Sequence, residues 1–260
     1  MFLNIKSNFN NNWLLDIIYY NNDVFSIMQR FFIPPENFKG DYVISFDKKL
    51  INQIKKVLRA KEGDKFWLFE GSGSEYLGQL IELSSNQVKF LLIDNRLSTI
   101  EPDIQITLYQ ALIKADKFEW VLQKAAELGV KKIVPIISHR SLVQQISSIK
   151  MKRYQEILKE AIEQCGGTIL PELFFPISFF EAVKNTTQQS GIKMIAWEKE
   201  RDNKLITDKD ISIFIGPEGG FTDEEIMLAR DFNIQTVTLG LRILRSETAA
   251  ISAISKLLNN

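Results

Sequence analysis

Apolar residues along this chain fall into two regimes. Between residues 28 and 98 they come in short runs rich in aromatic and β-branched side chains, each ended by a nearby turn signal. The pattern predicts a strand over 30–33, stopped by Pro34-Pro35, a strand over 41–45 and a short helix over 47–58. Strands over 65–70, 75–82 and 87–93 follow, with a Gly71-Ser72-Gly73 turn between the first two. Short strands with frequent turns predict a small β-barrel.

From about residue 103 the spacing lengthens. An apolar strand over 104–111 leads into a helix over 116–128 that sets Phe118, Val121, Leu122, Ala125 and Leu128 on one face, with Gly129 as its C-terminal cap. A strand over 132–137 and a helix over 150–165 follow, the helix burying Met151, Tyr154, Leu158, Ala161 and Ile162. Strands over 193–196, 211–215 and 235–239 then alternate with helices over 222–232 and 246–258. Alternation of this kind predicts an α/β domain with a mostly parallel sheet covered on both faces. The polar stretch 95–103, with Pro102, is the predicted linker, which divides the chain into residues 28–98 and 103–260. Residues 1–27 are asparagine-rich and are expected to be a disordered extension, with Met28 as an alternative start. Their apolar stretch 13–20 contains Asp16 and lacks a basic approach and a small-residue cleavage site, so no signal peptide is expected.

Composition narrows the function. The 32 basic and 32 acidic residues cancel, so any nucleic-acid surface must be a local patch. The single cysteine, Cys165, excludes an intramolecular disulfide, and with the single histidine, His139, it is too little for a usual zinc site, so no metal is expected. Apolar runs fall far short of the ~20 residues of a membrane span. A cytoplasmic protein is expected.

Chemistry concentrates in two segments that each follow a predicted strand. In Gly216-Pro217-Glu218-Gly219-Gly220-Phe221, three glycines and a proline make a tight loop that a ligand can approach closely. Thr222 and Glu225 then form a capping box for the next helix. The second segment, Leu239-Gly240-Leu241-Arg242-Ile243-Leu244-Arg245, is an apolar loop with two arginines, and Ser246 is expected to cap the final helix. Ligands bind at the carboxyl ends of strands in open α/β sheets. Leu239, Ile243 and Leu244 are suited to sandwich an adenine. A glycine-rich connection alone is as often only a connection. Walker A, G-x-G-x-x-G and G-x-S-x-G motifs are absent.

Gly216-Pro217-Glu218-Gly219-Gly220-Phe221 and Leu244-Arg245-Ser246-Glu247-Thr248-Ala249, with Arg30-Phe31-Phe32-Ile33, Val57-Leu58-Arg59, Gln123-Lys124-Ala125-Ala126-Glu127-Leu128-Gly129-Val130 and Glu160-Ala161-Ile162-Glu163-Gln164-Cys165, resemble the RsmE family of 16S ribosomal RNA (uracil-N3)-methyltransferases, in the SPOUT class. The resemblance runs from Met28 through almost the whole chain. It departs at Asn52 and Gln53, where such proteins often carry histidine, and at Gly167, where a basic residue is expected. It implies a SPOUT-type parallel sheet with a C-terminal trefoil knot, preceded by a small PUA-like barrel. It also implies a homodimer, S-adenosylmethionine as cofactor, and 16S ribosomal RNA or the small ribosomal subunit as partner.

On that resemblance the cofactor would be held by Ala196, Trp197, Ile215, Gly216, Pro217, Glu218, Gly219, Leu239, Gly240, Ile243, Leu244, Arg245, Glu247, Thr248 and Ala249. Arg245 is the candidate for stabilising charge that spreads over the uracil oxygens, with phosphate binding or a salt bridge to Glu247 as its other readings. Glu218 is the candidate proton acceptor, with bracing of the loop as the blander role. Arg30, Arg59, Lys114, Lys117, Lys124 and Arg140 are the candidate RNA contacts, against the plain reading of solvated surface. Trp120 is read as packing or as a base-stacking surface, and Cys165 as core. The rival functions are a catalytically silent RNA-binding assembly factor and a ribose 2′-O-methyltransferase of related fold.

Overall fold

A computed structural model of the chain describes residues 28–258; the expected extension over 1–27 lies outside the described residues. The first sheet has strands β1 (Arg30–Phe32), β2 (Phe38–Lys39), β3 (Tyr42–Ser45), β4 (Lys65–Phe69), β5 (Ser74–Leu83) and β6 (Val88–Leu97), with helix α1 (Lys48–Asn52) inserted before β4. Its order is β1-β4-β5-β6-β3-β2, antiparallel except for β1 on β4. It encloses a core of Phe31, Ile33, Val43, Leu50, Ile54, Phe66, Leu68, Leu80, Val88 and Phe90.

The second sheet is built by β7 (Gln105–Ala111), α2 (Ala115–Glu127), β8 (Lys132–Ile137), α3 (Ser148–Cys165), β9 (Glu172–Leu173), β10 (Ile177–Ser178), α4 (Phe179–Asn185), β11 (Ile192–Ala196), β12 (Asp210–Ile215), α5 (Asp223–Asp231), β13 (Gln235–Val237) and α6 (Ser246–Leu258). Every pairing in it is parallel, in the order β10-β8-β7-β12-β11-β13 with β9 beside β8. Such strands are buried on both faces and read as near-continuous apolar runs. Helices α2, α3 and α6 cover one face around Leu108, Phe118, Leu122, Leu158 and Ile213. Helices α4 and α5 cover the other around Tyr109, Phe179, Phe214 and Ile226, where Tyr109 and Phe214 stack at 4.2 Å.

The predicted elements shift in physically explicable ways. The helix expected over 47–58 is regular only to Asn52 and continues as one π-helical turn over Gln53–Val57, leaving Ile54 in the core. Strand β6 runs on to Leu97 because β5 pairs with it that far, so the first third of the predicted linker is strand. Pro102 packs where a Cβ on Gly129 would sit, 2.7 Å from Pro102 Cγ, and Gly129 itself has φ +83°. Helix α4, β9 and β10 were not predicted; each is two turns or less, although Ser178 and Glu181 make a complete capping box.

The two sheets meet along the C-terminal half of α3. The Phe32 N–H donates to Glu163 Oε1 at 2.9 Å, Lys49 pairs with Glu156 at 2.7 Å, and Phe69 belongs to the second sheet's core. Burial pushes the Glu163 carboxyl up to about 6, against the opposing pull of the Phe32 N–H and Lys159. Glu101, in the connection between the sheets, accepts N–H bonds from Thr168 and Ile169 and pairs with Lys131 at 3.0 Å.

Candidate active site

The loops at the carboxyl ends of β11, β12 and β13 enclose a cleft of about 260 Å³. Its first wall is the glycine loop after β12. The Gly220 N–H closes a turn onto the Pro217 carbonyl at 3.0 Å, and Gly220 has φ +69°. A Cβ there would lie 3.1 Å from both carboxylate oxygens of Glu198, so both the backbone and the space call for glycine. The capping box of Thr222 and Glu225 starts α5, and the second oxygen of Glu225 takes the His139 N–H at 2.8 Å. Arg140 braces the same loop, donating to the Gly219 carbonyl at 2.8 Å.

The second wall is the loop between β13 and α6. It is pinned at its start by Thr238 Oγ1, which accepts the Gly240 N–H at 3.2 Å, and by Lys256, which donates to the Leu239 carbonyl at 2.6 Å. Ser246 was expected to cap α6. It opens the helix instead, and its hydroxyl ties the two walls together. Ser246 Oγ donates to the Gly216 carbonyl at 2.5 Å and accepts from Gln110 Nε2 at 3.0 Å. Gln110 is fully buried in β7, and its Oε1 has no partner among the described residues.

The cleft brings together the expected Ala196, Trp197, Ile215, Gly216, Pro217, Glu218, Gly219, Leu239, Gly240, Ile243, Leu244 and Ala249. Arg245, Glu247 and Thr248 do not line it. Arg245 lies between two lining residues, exposed, with no ion pair among the described residues. Glu247 pairs with Lys117 at 2.6 Å. Burial works to raise the Glu247 carboxyl, but the Lys117 bond, its own backbone N–H and the charges of Lys117 and Arg245 hold it below the usual carboxylate range. Glu218 is exposed, and its Oε1 accepts the Lys114 N–H at 3.5 Å, a brace between the glycine loop and α2.

Sequence reasoning missed Glu198, Arg201, Gly220, Phe221, Thr238, Arg242 and Ser246 as lining residues. Gly220, Phe221 and Arg242 sit inside the two segments already singled out, and Thr238 and Ser246 flank the second. Glu198 and Arg201 had no signal beyond following a strand. Arg201 donates to the Glu198 and Glu200 carbonyls at 2.6 and 3.1 Å. Glu200 is held down to about 2 by the Thr236 hydroxyl and then by backbone N–H groups, which orders this third loop.

The candidate RNA cations are dispersed. Arg30 is taken by Glu75, Lys117 by Glu247, and Lys124 by Glu127 while lying 4.8 Å above the half-exposed Trp120 ring. Arg59, exposed at φ 53°, and exposed Lys114 have no ion pair among the described residues. Cys165 packs against the core of the second sheet. No cluster of metal-ligating side chains, and no helix long and apolar enough to cross a membrane, occurs among the described residues.

A parallel sheet with a cleft of strand-end loops, joined to a small β domain, is the class defined by two family models. Residues 100–258 match the RNA methyltransferase domain, and residues 47–93 match the RNA methyltransferase PUA domain. The ribosomal RNA small subunit methyltransferase E of Mesomycoplasma hyopneumoniae is 33% identical over 88% of this chain and 98% of its own. The crystal structure of the Neisseria gonorrhoeae methyltransferase E bound to S-adenosyl methionine superposes with a TM-score of 0.81 at 32% identity, covering 89% of this chain and 97% of that one. A putative methyltransferase of Legionella pneumophila in complex with its cofactor SAM gives a TM-score of 0.80 at 32% identity, covering 88% and 96%. The chain belongs to the family of ribosomal RNA small subunit methyltransferases E.

Proposed function

We propose that this protein transfers a methyl group from S-adenosylmethionine to N3 of a uridine in 16S ribosomal RNA. The observation that carries this reading is the cleft itself: two strand-end loops tied by Ser246, apolar on one wall and glycine backbone on the other. Leu239, Ile243, Leu244 and Ala249 suit an adenine face, and the backbone of the exposed Gly219 suits hydrogen bonds to a polar ligand. Trp197, after β11, also lines the cleft, and its Nε1 is a buried donor with no partner among the described residues. These features fit the cofactor, which supplies a methyl group already activated on a sulfonium.

The remaining work is positioning and proton removal. Uridine N3 is a poor nucleophile while protonated, and it lies on the Watson–Crick edge, so the base must be unpaired or extruded. Holding N3 in line is the larger contribution. Arg245, exposed and without an ion pair among the described residues, stabilises charge that spreads to the uracil oxygens. Glu218 is assigned as proton acceptor. We also assign the residues near the cleft, Lys114, Lys117 and Arg140, to RNA. The boundary between the RNA-binding and catalytic domains is placed at 98–103, the C-terminal region is taken to be knotted, and the protein is read as a cytoplasmic homodimer. Exposed Leu241 and Ile243, 95% and 80% accessible beside the cleft, support a second copy packing there.

The test is methylation of small-subunit RNA with labelled cofactor, followed by nuclease digestion and nucleoside analysis. N3-methyluridine is expected, and Arg245→Ala should slow single-turnover methylation about a hundredfold with much less change in RNA affinity. Label in ribose 2′-O-methyl groups, or cofactor binding without transfer, would overturn the reading.

A further inference from the structure

Register in the first sheet sets Arg30 beside Trp67, and Glu75 beside Phe69 on one side and Arg96 on the other. Alternate residues of a strand share a face, so Arg30, Trp67, Glu75 and Arg96 stand together. The Glu75 side chain is 5% exposed, and each oxygen serves one guanidinium: Oε2 takes Arg30 Nη2 at 2.5 Å and Oε1 takes Arg96 Nε at 2.7 Å.

The two arginines are not equivalent. Arg30 is 15% exposed, and its Nε is buried without a partner among the described residues, so this guanidinium belongs to the interior. Arg96 is 54% exposed, with its guanidinium carbon 4.0 Å from the centre of the Trp67 ring. It is held from two sides, through Nε and through one face. Its two terminal nitrogens have no hydrogen-bond or ionic partner among the described residues. Asp94, two residues earlier, accepts the Asn95 N–H and makes no ion pair with Arg96.

A planar fork with its stem and face already fixed loses little rotamer freedom when it binds, and the fork matches the oxygens of a phosphate. We propose that Arg96, seated on Trp67 and tethered by Glu75, is a binding site for a backbone phosphate of the substrate RNA. The proposal rests on the RNA methyltransferase reading. On a chain with no net charge, a few organised cations must supply the RNA grip, and this one is organised before RNA arrives. The site is open and carries a single free fork. That suits one phosphate of a long polyanion, which other contacts hold in place, better than a small free anion.

The full chain is titrated with labelled small-subunit ribosomal RNA, and with a single-stranded RNA oligonucleotide, over a salt series. Arg96→Gln should bind about tenfold more weakly at low salt, and the salt slope should flatten by about 0.7, one phosphate's worth for a single strand. Its cofactor affinity should match the wild type, and its melting temperature should fall less than that of Arg30→Gln, because Glu75 keeps Arg30, the more buried of its two partners. Arg96→Lys should keep the slope, since the charge remains, yet lose affinity, since a lysine cannot be held by face and stem together. Arg30→Gln should lower the melting temperature further. Wild-type RNA affinity and slope in Arg96→Gln would overturn the site, as would full affinity in Arg96→Lys. If the wild type binds neither RNA, the functional reading falls and the site with it. If it binds and methylates while Arg96→Gln is indistinguishable, only the site falls.

Discussion

Ser246→Ala cuts a side-chain link between the two walls of the cleft. The hydroxyl is 5% exposed and makes two hydrogen bonds, to the Gly216 carbonyl and from Gln110. A buried bond of this kind contributes about 0.5–1.5 kcal/mol net. Gln110 Nε2 keeps its bond to the Ala111 carbonyl at 3.0 Å but loses the acceptor of its second N–H, and the Gly216 carbonyl loses its side-chain donor, so the expected cost is about 1–2 kcal/mol. For a chain of this size that lowers the melting temperature by roughly 2–8 °C. The walls must then be ordered by the cofactor as it binds, and the affinity for S-adenosylmethionine should fall by up to about tenfold, equivalent to about 1.4 kcal/mol. Thermal melts with and without cofactor, together with titration calorimetry, measure both. A double-mutant cycle with Gln110→Leu should give a coupling of at least about 0.5 kcal/mol. Strict additivity, or a Ser246→Ala protein with wild-type melting and cofactor affinity, would refute the argument that this hydroxyl holds the cleft.

Two further predictions follow from the same reasoning. Gly220→Ala puts a side chain at φ +69° and against the Glu198 carboxylate, so it should cost about 1–2 kcal/mol of stability and weaken cofactor binding; an unchanged calorimetric titration would remove this turn from the site. Burial raises the Glu163 carboxyl from its ordinary value of about 4.5 to about 6, so its protonated form is favoured by folding. Its contribution is fully present below about pH 4.5 and lost as pH rises through about 6, roughly 2 kcal/mol across that window. Glu163→Gln, which keeps an acceptor for the Phe32 N–H, should abolish that part of the pH dependence and stabilise the protein at pH 8, as read from denaturant midpoints.

Much of the second sheet was legible because parallel strands buried on both faces read as largely apolar runs, and 104–111, 132–137 and 211–215 are largely apolar. The same rule marks Gln110 as anomalous: a glutamine inside such a run needs a polar reason, and the Ser246 bond is that reason. The two loops were legible because tight turns at strand ends need glycine, and their spacing placed most of the cleft wall. What was not legible depends on side chains meeting across long sequence separations. Glu198 reaches Gly220, Lys117 reaches Glu247, and Glu75 gathers Arg30 and Arg96, none of which leaves a local pattern. Helix α4 escaped because two turns are too short for a periodic stripe to register.

The ion pairs also sort the cations by what an RNA strand can recruit. Lys117–Glu247 and Lys124–Glu127 leave a quarter of each lysine exposed, at 27% and 25%. Pairs near the surface are worth at most about 1 kcal/mol, so a phosphate can replace the carboxylate at small cost. Arg30–Glu75 cannot be exchanged so cheaply, because withdrawing Arg30 would strand a buried carboxylate that otherwise keeps only Arg96, and uncovering a buried charge costs several kcal/mol. RNA binding should therefore draw on Arg59, Lys114 and Arg96 directly, and on Lys117 and Lys124 by exchange, while Arg30 stays structural. The exchange at Lys117 has a further consequence for the site. It would release Glu247, whose carboxylate is held below the usual range largely by Lys117 and which feels the charge of Arg245. An RNA phosphate that took Lys117 would therefore loosen the hold on a carboxylate in the first turn of α6, one residue from the cleft-lining Ser246.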